Sequence, residues 1–249
     1  MKNSLKISIV FYVCFLTFTA GAQKTKQDVT EKNNVIKINL SALTFKNISI
    51  QYETRVGKKT SLALNVHSIP FGNIPYQSAF EKLIVQNFIQ YDKFKLGSFG
   101  VVPEVRFYVG KKGVLHGFYL APFVSYNNYK INLPISYNNN TKTGIFDGSL
   151  NAYTGGLQLG SQFRLSKSLT LDWWILGPNY GSANGTLNFA STLTPSEQTD
   201  LSNALEKIKN DAPLKTIQSY KVSSTGAIVT AKGPWGGLRG LGINLGVRF

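Results

Sequence analysis

The chain of 249 residues has a single cysteine, Cys14, and only two histidines. This shortage excludes a fold held together by disulfide bonds and leaves too few ligands for a metal site of cysteine and histidine. Two glycine clusters, Gly155-Gly156 and 233–237, lack the following helix that a phosphate-binding loop needs. We therefore expect no metal, no cofactor and no catalytic residues.

Charge is also scarce and of one dominant sign. Charged residues make up 16% of the chain, against about 25% in typical soluble domains. The 27 lysines and arginines outnumber the 12 acidic residues, which gives a formal net charge of +15. A hydrophobic content of 43% still excludes a disordered chain. Because aromatic residues reach 12% and glycines number 23, the composition indicates a β-rich chain with unusual solvent exposure.

Residues 1–22 have the features of a secretory signal peptide. Lys2 and Lys6 precede a charge-free apolar stretch, and Ala20-Gly21-Ala22 has the small-x-small form of a cleavage site. A transmembrane anchor, the alternative, needs about 17–25 apolar residues. We predict cleavage, followed by a short periplasmic segment over residues 23–33 and a barrel domain that fills the rest of the chain.

From residue 34 onward, apolar residues occupy every second position in many segments. The last segment is the clearest, because Ile243, Leu245, Val247 and Phe249 alternate with glycine and polar residues. A period of two is typical of strands with one apolar and one polar face. We predict eight strands, at 34–43, 46–56, 60–69, 97–109, 114–127, 150–165, 169–178 and 238–249.

The predicted connections alternate between short and long. Long links at 70–96, 128–149 and 179–237 contrast with hairpin turns that carry exposed lysines. In an up-and-down meander, one end therefore carries tight turns and the other long loops. The turns contain Lys58, Lys59, Lys111, Lys112 and Lys167, for which we expect solubility and attraction to anionic lipid rather than nucleic-acid binding.

The orientation of the strands leaves two alternatives. A soluble carrier barrel would turn its apolar face inward, whereas a membrane barrel turns it to lipid and fills the lumen with polar groups. The polar faces are too regularly charged on some strands, and too rich in glycine on others, for a surface in water. The strands also approach the 9–11 residues that cross a bilayer. The membrane orientation is therefore favoured.

On these residues the chain resembles the small eight-stranded outer-membrane barrels of Gram-negative bacteria, of the OmpA, OmpX and OmpW type, and above all the barrel proteins of the Bacteroidota. The resemblance covers residues 34–249. It implies an all-β, eight-stranded antiparallel up-and-down transmembrane β-barrel with short helices in its long extracellular loops. It also implies contact with outer-membrane lipids, and recognition of the terminal Ile243, Leu245, Val247 and Phe249 by the barrel-assembly machinery.

The predicted topology places charged residues at related depths inside the barrel. An eight-stranded barrel leaves room only for side chains, and buried charges are costly unless paired. We expect a plugged core rather than a narrow or gated ion path, the alternative. The predicted lumenal network comprises Lys37, Glu53, Arg55, Glu104, Arg106, Arg164, Asp172 and Arg248.

Two of the long loops carry amphipathic helix patterns after capping boxes, one at Ser78–Glu81 and one at Thr194–Glu197. The helices could pack as a cap, lie on the outer leaflet or receive a partner. Their apolar residues are Phe80, Leu83, Ile84 and Phe88 in the first loop, and Leu201, Ala204, Leu205 and Ile208 in the second.

Three functions stay open at this stage. The first is a non-enzymatic envelope protein that supports the membrane, mediates adhesion, or binds an extracellular protein or matrix through its loops. The second is a pore or transporter for small or hydrophobic solutes, in the manner of OmpW. The third is a lipid A-modifying enzyme, for which His67-Ser68 at the outer end of the third strand is the candidate, although the sequence places no acidic partner beside it.

Overall fold

The computed structural model describes residues 32–76, 90–138, 141–211 and 216–249. The predicted signal peptide and the first predicted loop helix, with Phe80, Leu83, Ile84 and Phe88, lie outside these residues. The elements are β1 (Asn34–Asn39), α1 (Leu40–Leu43), β2 (Ile48–Arg55), β3 (Thr60–Asn73), a 3₁₀ turn (Tyr91–Lys93), β4 (Lys95–Tyr108), β5 (Gly117–Tyr137), β6 (Lys142–Arg164), β7 (Leu169–Leu176), β8 (Pro178–Ala190), α2 (Pro195–Asp211), β9 (Ile217–Ser223), β10 (Gly226–Leu238) and β11 (Gly242–Arg248).

Eight antiparallel strands close into a barrel. Strands β1 to β7 follow one another around it, with β5 paired to β6, and β11 completes it between β7 and β1. In the closing pair, Val35 of β1 lies opposite Arg248 of β11. The predicted all-β, eight-stranded antiparallel barrel is therefore confirmed.

The outer surface of this barrel is apolar and its interior is polar. Ile36, Ile50 and Leu64 are 50%, 49% and 44% exposed, whereas the residues that follow them, Lys37, Gln51 and Asn65, are at most 2% exposed. An exposed apolar band around a buried polar interior is the inverse of a water-soluble barrel and matches a hydrocarbon surround. This arrangement agrees with the predicted transmembrane orientation, in which the apolar face of each strand points to lipid. None of the helices that the structure describes is long and apolar enough to cross a membrane.

Two of the predicted long links are in fact largely strand. Strand β5 continues to Tyr137 and β6 starts at Lys142, so most of 128–149 is a paired hairpin. The link 179–237 holds β8, α2, β9 and β10, which extend the sheet to eleven strands. These segments were predicted as loops because they lack the alternation of apolar and polar residues. Beyond the hydrocarbon layer the outer face of a strand no longer has to be apolar, so the alternation is lost there.

Two predicted strand ends were also wrong. The strand predicted at 34–43 ends at Asn39, because the Asn39 side chain accepts a hydrogen bond of 2.9 Å from the Ala42 amide and starts helix α1. The strand predicted from residue 114 starts at Gly117. Before it, Val114 and Leu115 are 4% and 1% exposed and pack with other buried apolar residues. They close the turn end of the lumen with apolar groups.

Glycines make room for the large side chains of the lumen. At Gly160 in β6, a Cβ atom would lie 2.2 Å from the hydroxyl oxygen of Tyr119, a residue with no exposed surface. At Gly246 in β11, a Cβ atom would lie 2.8 Å from Cγ of Lys37. Both distances are below any real contact, so the glycine-rich inner face is a packing requirement.

We expect Gly160→Ala to lower the free energy of unfolding by about 1–3 kcal/mol, because the buried Tyr119 ring has no space to move. Chemical unfolding of the protein in lipid vesicles measures this change. Gly155→Ala on the same strand is the matched control, since the nearest heavy atom to its Cβ would be 3.8 Å away. Equal unfolding midpoints for the two variants would contradict the packing argument.

Candidate functional site

Arg106 is at the centre of a lumenal ion-pair network. It lies on β4 with no exposed surface. Its Nη1 atom donates to Asp172 Oδ2 at 2.6 Å and to Glu53 Oε2 at 3.0 Å, and its Nε atom donates to Glu104 Oε1 at 2.5 Å. One guanidinium therefore holds carboxylates from three other positions, two of them on the distant strands β2 and β7.

Lys37 of β1 supplies the second cation. Its Nζ atom lies 2.6 Å from Asp172 Oδ2 and 3.1 Å from Gln162 Oε1, and it also pairs with Glu53. Two tyrosines complete the shell of the carboxylates: Tyr108 donates to Glu53 at 2.6 Å and Tyr119 donates to Asp172 at 2.8 Å. The carboxylates thus retain hydrogen bonds that replace those lost from water.

Arg239 is the third cation, and the sequence prediction missed it. It pairs with Glu104, and its guanidinium carbon lies 3.9 Å from the centre of the Trp174 ring. If the strand ran without interruption over residues 238–249, as predicted, Arg239 would lie on the same face as Ile243 and would point to lipid. The chain instead breaks between β10 and β11, where Leu241 adopts a positive φ of 52°, and the alternation of faces is interrupted there.

The structure thus pairs three cations with three carboxylates: Lys37, Arg106, Arg239, Glu53, Glu104 and Asp172. The side chains of all except Arg239 have no exposed surface. Balanced charge and complete pairing suit a lumen from which water is excluded. Leu115 and Trp174 belong to a buried apolar cluster that also contains Tyr108 and Tyr119, whose hydroxyls donate to the carboxylates of the network.

The remaining arginines predicted for the network lie near the turn end. Arg55 is half-buried and donates to the carbonyl oxygen of Gly57 at 3.2 Å, beside the first turn. Arg248 is 5% exposed on β11. Arg164 is exposed at the end of β6, so its inward parity does not bury it. The turn lysines are also exposed: Lys58, Lys59, Lys111, Lys112 and Lys167.

The C-terminal strand turns its apolar residues outward. Ile243, Leu245, Val247 and Phe249 are between 37% and 54% exposed, while the intervening Asn244 is 1% exposed. These apolar residues therefore face the surroundings of the barrel, and recognition by an assembly machinery stays a prediction.

At the end opposite the tight turns, the sheet continues into what we call the cap: the outer parts of β5 and β6 with β8, β9, β10 and α2. Its own apolar core lies between α2 and the sheet. Leu201 and Leu205 of α2 are 1% and 4% exposed, and Ala204 and Ile208 are half-buried. The core comprises Ile135, Tyr137, Phe146, Phe189, Leu193, Leu201, Leu205, Ala227 and Val229.

Glu197 fixes the start of α2. The Thr194 amide donates to the Glu197 carboxylate at 2.9 Å, and the Glu197 amide donates to the Thr194 hydroxyl at 3.4 Å, which forms a capping box. Lys142 at the start of β6 lies 2.7 Å from the same carboxylate. The hydrogen bond from Lys142 is the main reason that the pKa of Glu197 is lowered. The helix is thereby tied to the β5–β6 hairpin.

A cavity of about 380 Å³ lies beside this core. The side chains that line it come mostly from α2 and β5. They include the apolar Leu133, Ile135, Leu205 and Ile208 and the polar Asp200 and Asn203. The cap therefore combines a polar outer helix face with an apolar recess against the sheet.

His67, the candidate for an enzymatic role, belongs to a chain of neutral side chains. Its Nε2 atom lies 2.9 Å from Asn127 Oδ1 and its Nδ1 atom lies 3.3 Å from Asn65 Oδ1. Among the residues that the structure describes, neither ring nitrogen contacts a carboxylate. The described contacts of both ring nitrogens are therefore with side-chain amides.

Comparisons with known proteins give a family without a described activity. A family model described as "Protein of unknown function (DUF3575)" matches residues 9–183. No curated protein matches the chain. Among solved structures, the chain is similar to the translocator domain of the autotransporter NalP from Neisseria meningitidis, with a TM-score of 0.33 and 11% identity over 99% of this chain and 95% of that chain. This similarity is too low to carry a functional conclusion.

Proposed function

Because the chain belongs to a family of proteins of unknown function (DUF3575), we propose its function from the geometry of the barrel and the cap. The protein is a non-enzymatic integral protein of the outer membrane of a Gram-negative bacterium. Its barrel is a closed anchor, and its cap binds an extracellular protein or matrix partner. Export uses the signal peptide over residues 1–22, and assembly uses the C-terminal strand.

The filled lumen is the observation that carries this proposal. Lys37, Glu53 and Arg106 have side chains with no exposed surface, and they bridge β1, β2 and β4 across the interior. Solute passage would require the network to break, which leaves charges unpaired in a low-dielectric interior. A pore through the whole lumen would need this network to open, and the paired network therefore supports a function in the cap.

The cap supports the second part of the proposal. It has its own apolar core, and its helix presents polar side chains outward, including the exposed Lys207 and Asn210. The recess beside Leu205 and Ile208 offers an apolar site for a side chain of a partner. Specific binding commonly resides in such elements that a rigid scaffold holds in place.

Removal of the outer part of the cap tests the proposal. Ala190 and Gly226 are paired across β8 and β10, so an Asn-Gly turn can replace residues 191–225. We expect the barrel to fold in this variant, because all eight barrel strands are retained. Adhesion of cells to immobilised matrix proteins should fall to the level of cells that lack the protein.

Folding is followed by the migration of unheated samples in SDS gels, and adhesion by counting bound cells. The control replaces Lys58 and Lys59 by alanine at the opposite end of the barrel, which should leave adhesion unchanged. If cells that carry the folded, shortened variant adhere as well as cells that carry the unmodified protein, the proposal is wrong.

A further inference from the structure

Three lysines lie together where the barrel passes into the cap. They are Lys46 between α1 and β2, Lys95 at the start of β4 and Lys130 in the outer half of β5, and all three are exposed. We call them the basic patch. Among the residues that the structure describes, no carboxylate forms an ion pair with any of them. Their positive charge is therefore accessible to a ligand.

The pairing of the strands brings the three lysines close to one another. Lys130 lies opposite Gly97, two residues from Lys95 on β4, so the two lysines are diagonal neighbours with Cα atoms about 7–8 Å apart. Lys95 lies opposite Asn73 of β3. The carbonyl oxygen of Asn73 accepts a hydrogen bond of 3.2 Å from Lys46 Nζ. Amines from three separate elements thus meet at one part of the sheet.

A β-bulge places an aromatic ring beside these amines. Pro70 and Phe71 of β3 together lie opposite Gly97 of β4. An uninterrupted alternation from the buried Asn65 would turn Phe71 into the interior, but Phe71 is 45% exposed and its ring centre lies 4.9 Å from Lys130 Nζ. A Cβ atom at Gly97 would lie 3.0 Å from the Phe71 Cα atom, so glycine is needed there. Bulges commonly re-aim a side chain at functional positions, and this one gives Lys130 an aromatic partner.

The basic patch lies at the depth of lipid headgroups. Lys95 has the same outward parity as the exposed Phe107 at the turn end of β4, and Lys130 has that of the exposed Phe118 on β5. At about 3.4 Å per residue and a strand tilt of about 40°, each lysine is about 31 Å above its phenylalanine. The hydrocarbon of a bilayer is about 30 Å thick, and the headgroup regions extend it to about 40–45 Å. Both lysines therefore reach the headgroup region at the cap end.

Two described acidic residues adjoin this part of the sheet, and neither neutralises the patch. Asp92 precedes the exposed Lys93 in the 3₁₀ turn. Asp147 of β6 lies opposite Asn132 of β5, which donates to it at 3.4 Å and separates it from Lys95. An excess of positive charge thus remains at a depth where anionic lipid groups are found.

The surface below the patch suits the acyl chains of a lipid. Ile48, Val66 and Phe99 are 50%, 38% and 48% exposed on β2, β3 and β4. Lysine binds phosphate as a point charge, so a lipid with a phosphorylated headgroup would meet both features at once. In an outer membrane, the lipid of the cap-end leaflet is lipopolysaccharide, whose lipid A anchor carries phosphates. We propose that the basic patch binds a phosphate group of lipopolysaccharide.

Native mass spectrometry of the folded protein in micelles of a neutral detergent tests this proposal. The probes are lipid A with its phosphates, the same lipid A after removal of its phosphates, and phosphatidylglycerol. We expect saturable binding of phosphorylated lipid A, with a higher affinity than for either of the other lipids. Inorganic phosphate should not displace it, because the acyl chains also hold the lipid against the apolar band.

Substitution of the patch lysines should weaken this binding in steps. Lys130→Gln should lower the affinity about fivefold, the usual contribution of one basic residue near an anionic lipid surface. The triple variant, with Lys46, Lys95 and Lys130 all replaced by glutamine, should lower it on the order of a hundredfold. All three side chains are exposed, so we expect both variants to fold. If the triple variant does not fold, Lys130→Gln decides the test.

The matched control removes the same charge at the opposite end of the barrel. It replaces Lys58, Lys59 and Lys167, which are also exposed, by glutamine. This control should bind phosphorylated lipid A as the unmodified protein does. The migration of unheated samples in SDS gels shows whether each variant is folded.

Four results would overturn the proposal. Equal affinities for the patch variants and the turn-end control would show that the patch lysines do not hold the lipid. Equal binding of lipid A with and without phosphates would identify contact with its acyl chains only. Equal binding of phosphatidylglycerol would identify a site for any anionic lipid, and displacement by inorganic phosphate a site for the free ion. The proposal shares the outer-membrane placement of the proposed function, but the titration does not involve adhesion, so either can fail without the other.

Discussion

Replacement of Arg106 by glutamine should lower the free energy of unfolding by about 3–5 kcal/mol, the range for breaking a buried ion pair. Arg106 contacts Glu53, Glu104 and Asp172. Without it, Lys37 and Arg239 would have to balance three buried carboxylates. Since domain stabilities are about 5–15 kcal/mol, a loss of this size also reduces the fraction of barrel that folds.

Unfolding in lipid vesicles, followed by tryptophan fluorescence, measures the effect. Arg164→Gln is the control, because Arg164 has the same inward parity in the sequence but is exposed at the end of β6. The free energy of unfolding of this control variant should differ from that of the unmodified protein by no more than about 0.5 kcal/mol. If both variants unfold at the same denaturant concentration, the network does not stabilise the barrel.

The barrel was predictable because one physical rule governs each of its strands. Inside the hydrocarbon, every second side chain faces lipid and must be apolar. The sequence pattern of Ile243, Leu245 and Val247 therefore assigns Asn244 to the inside, and the structure places these residues on those faces. The same parity, combined with tight turns that align neighbouring strands, suggested that Glu53, Glu104 and Asp172 approach one another.

The rule fails wherever the chain leaves the membrane or breaks its alternation. Strands β8, β9 and β10 face water on their outer side, so polar residues there resembled a loop. Arg239 was missed for a different reason, since the break near Leu241 interrupts the alternation of faces. The cavity of about 340 Å³ at the cap end of the barrel combines both difficulties. Its lining comes from nine strands, from α1 and from the connections at 47 and 239, and the approach of these segments is a tertiary property.

Glu104→Gln should destabilise the barrel strongly without opening it. Glu104 pairs with both Arg106 and Arg239. Its neutralisation would leave three cations facing two carboxylates, whereas the glutamine side chain would still occupy the same volume. We expect a loss of about 3–5 kcal/mol, together with the same bilayer conductance as the unmodified protein, which is that of lipid alone.

The double variant Glu104→Gln with Arg239→Gln separates charge from volume. It leaves Lys37 and Arg106 to balance Glu53 and Asp172, so the double variant should be more stable than Glu104→Gln alone, because paired sites in one network are not additive. A rise in conductance on Glu104→Gln, measured in planar bilayers, would show that the lumen is a gated path. Unchanged conductance with restored stability instead identifies the network as a plug that holds the barrel closed while the cap acts outside.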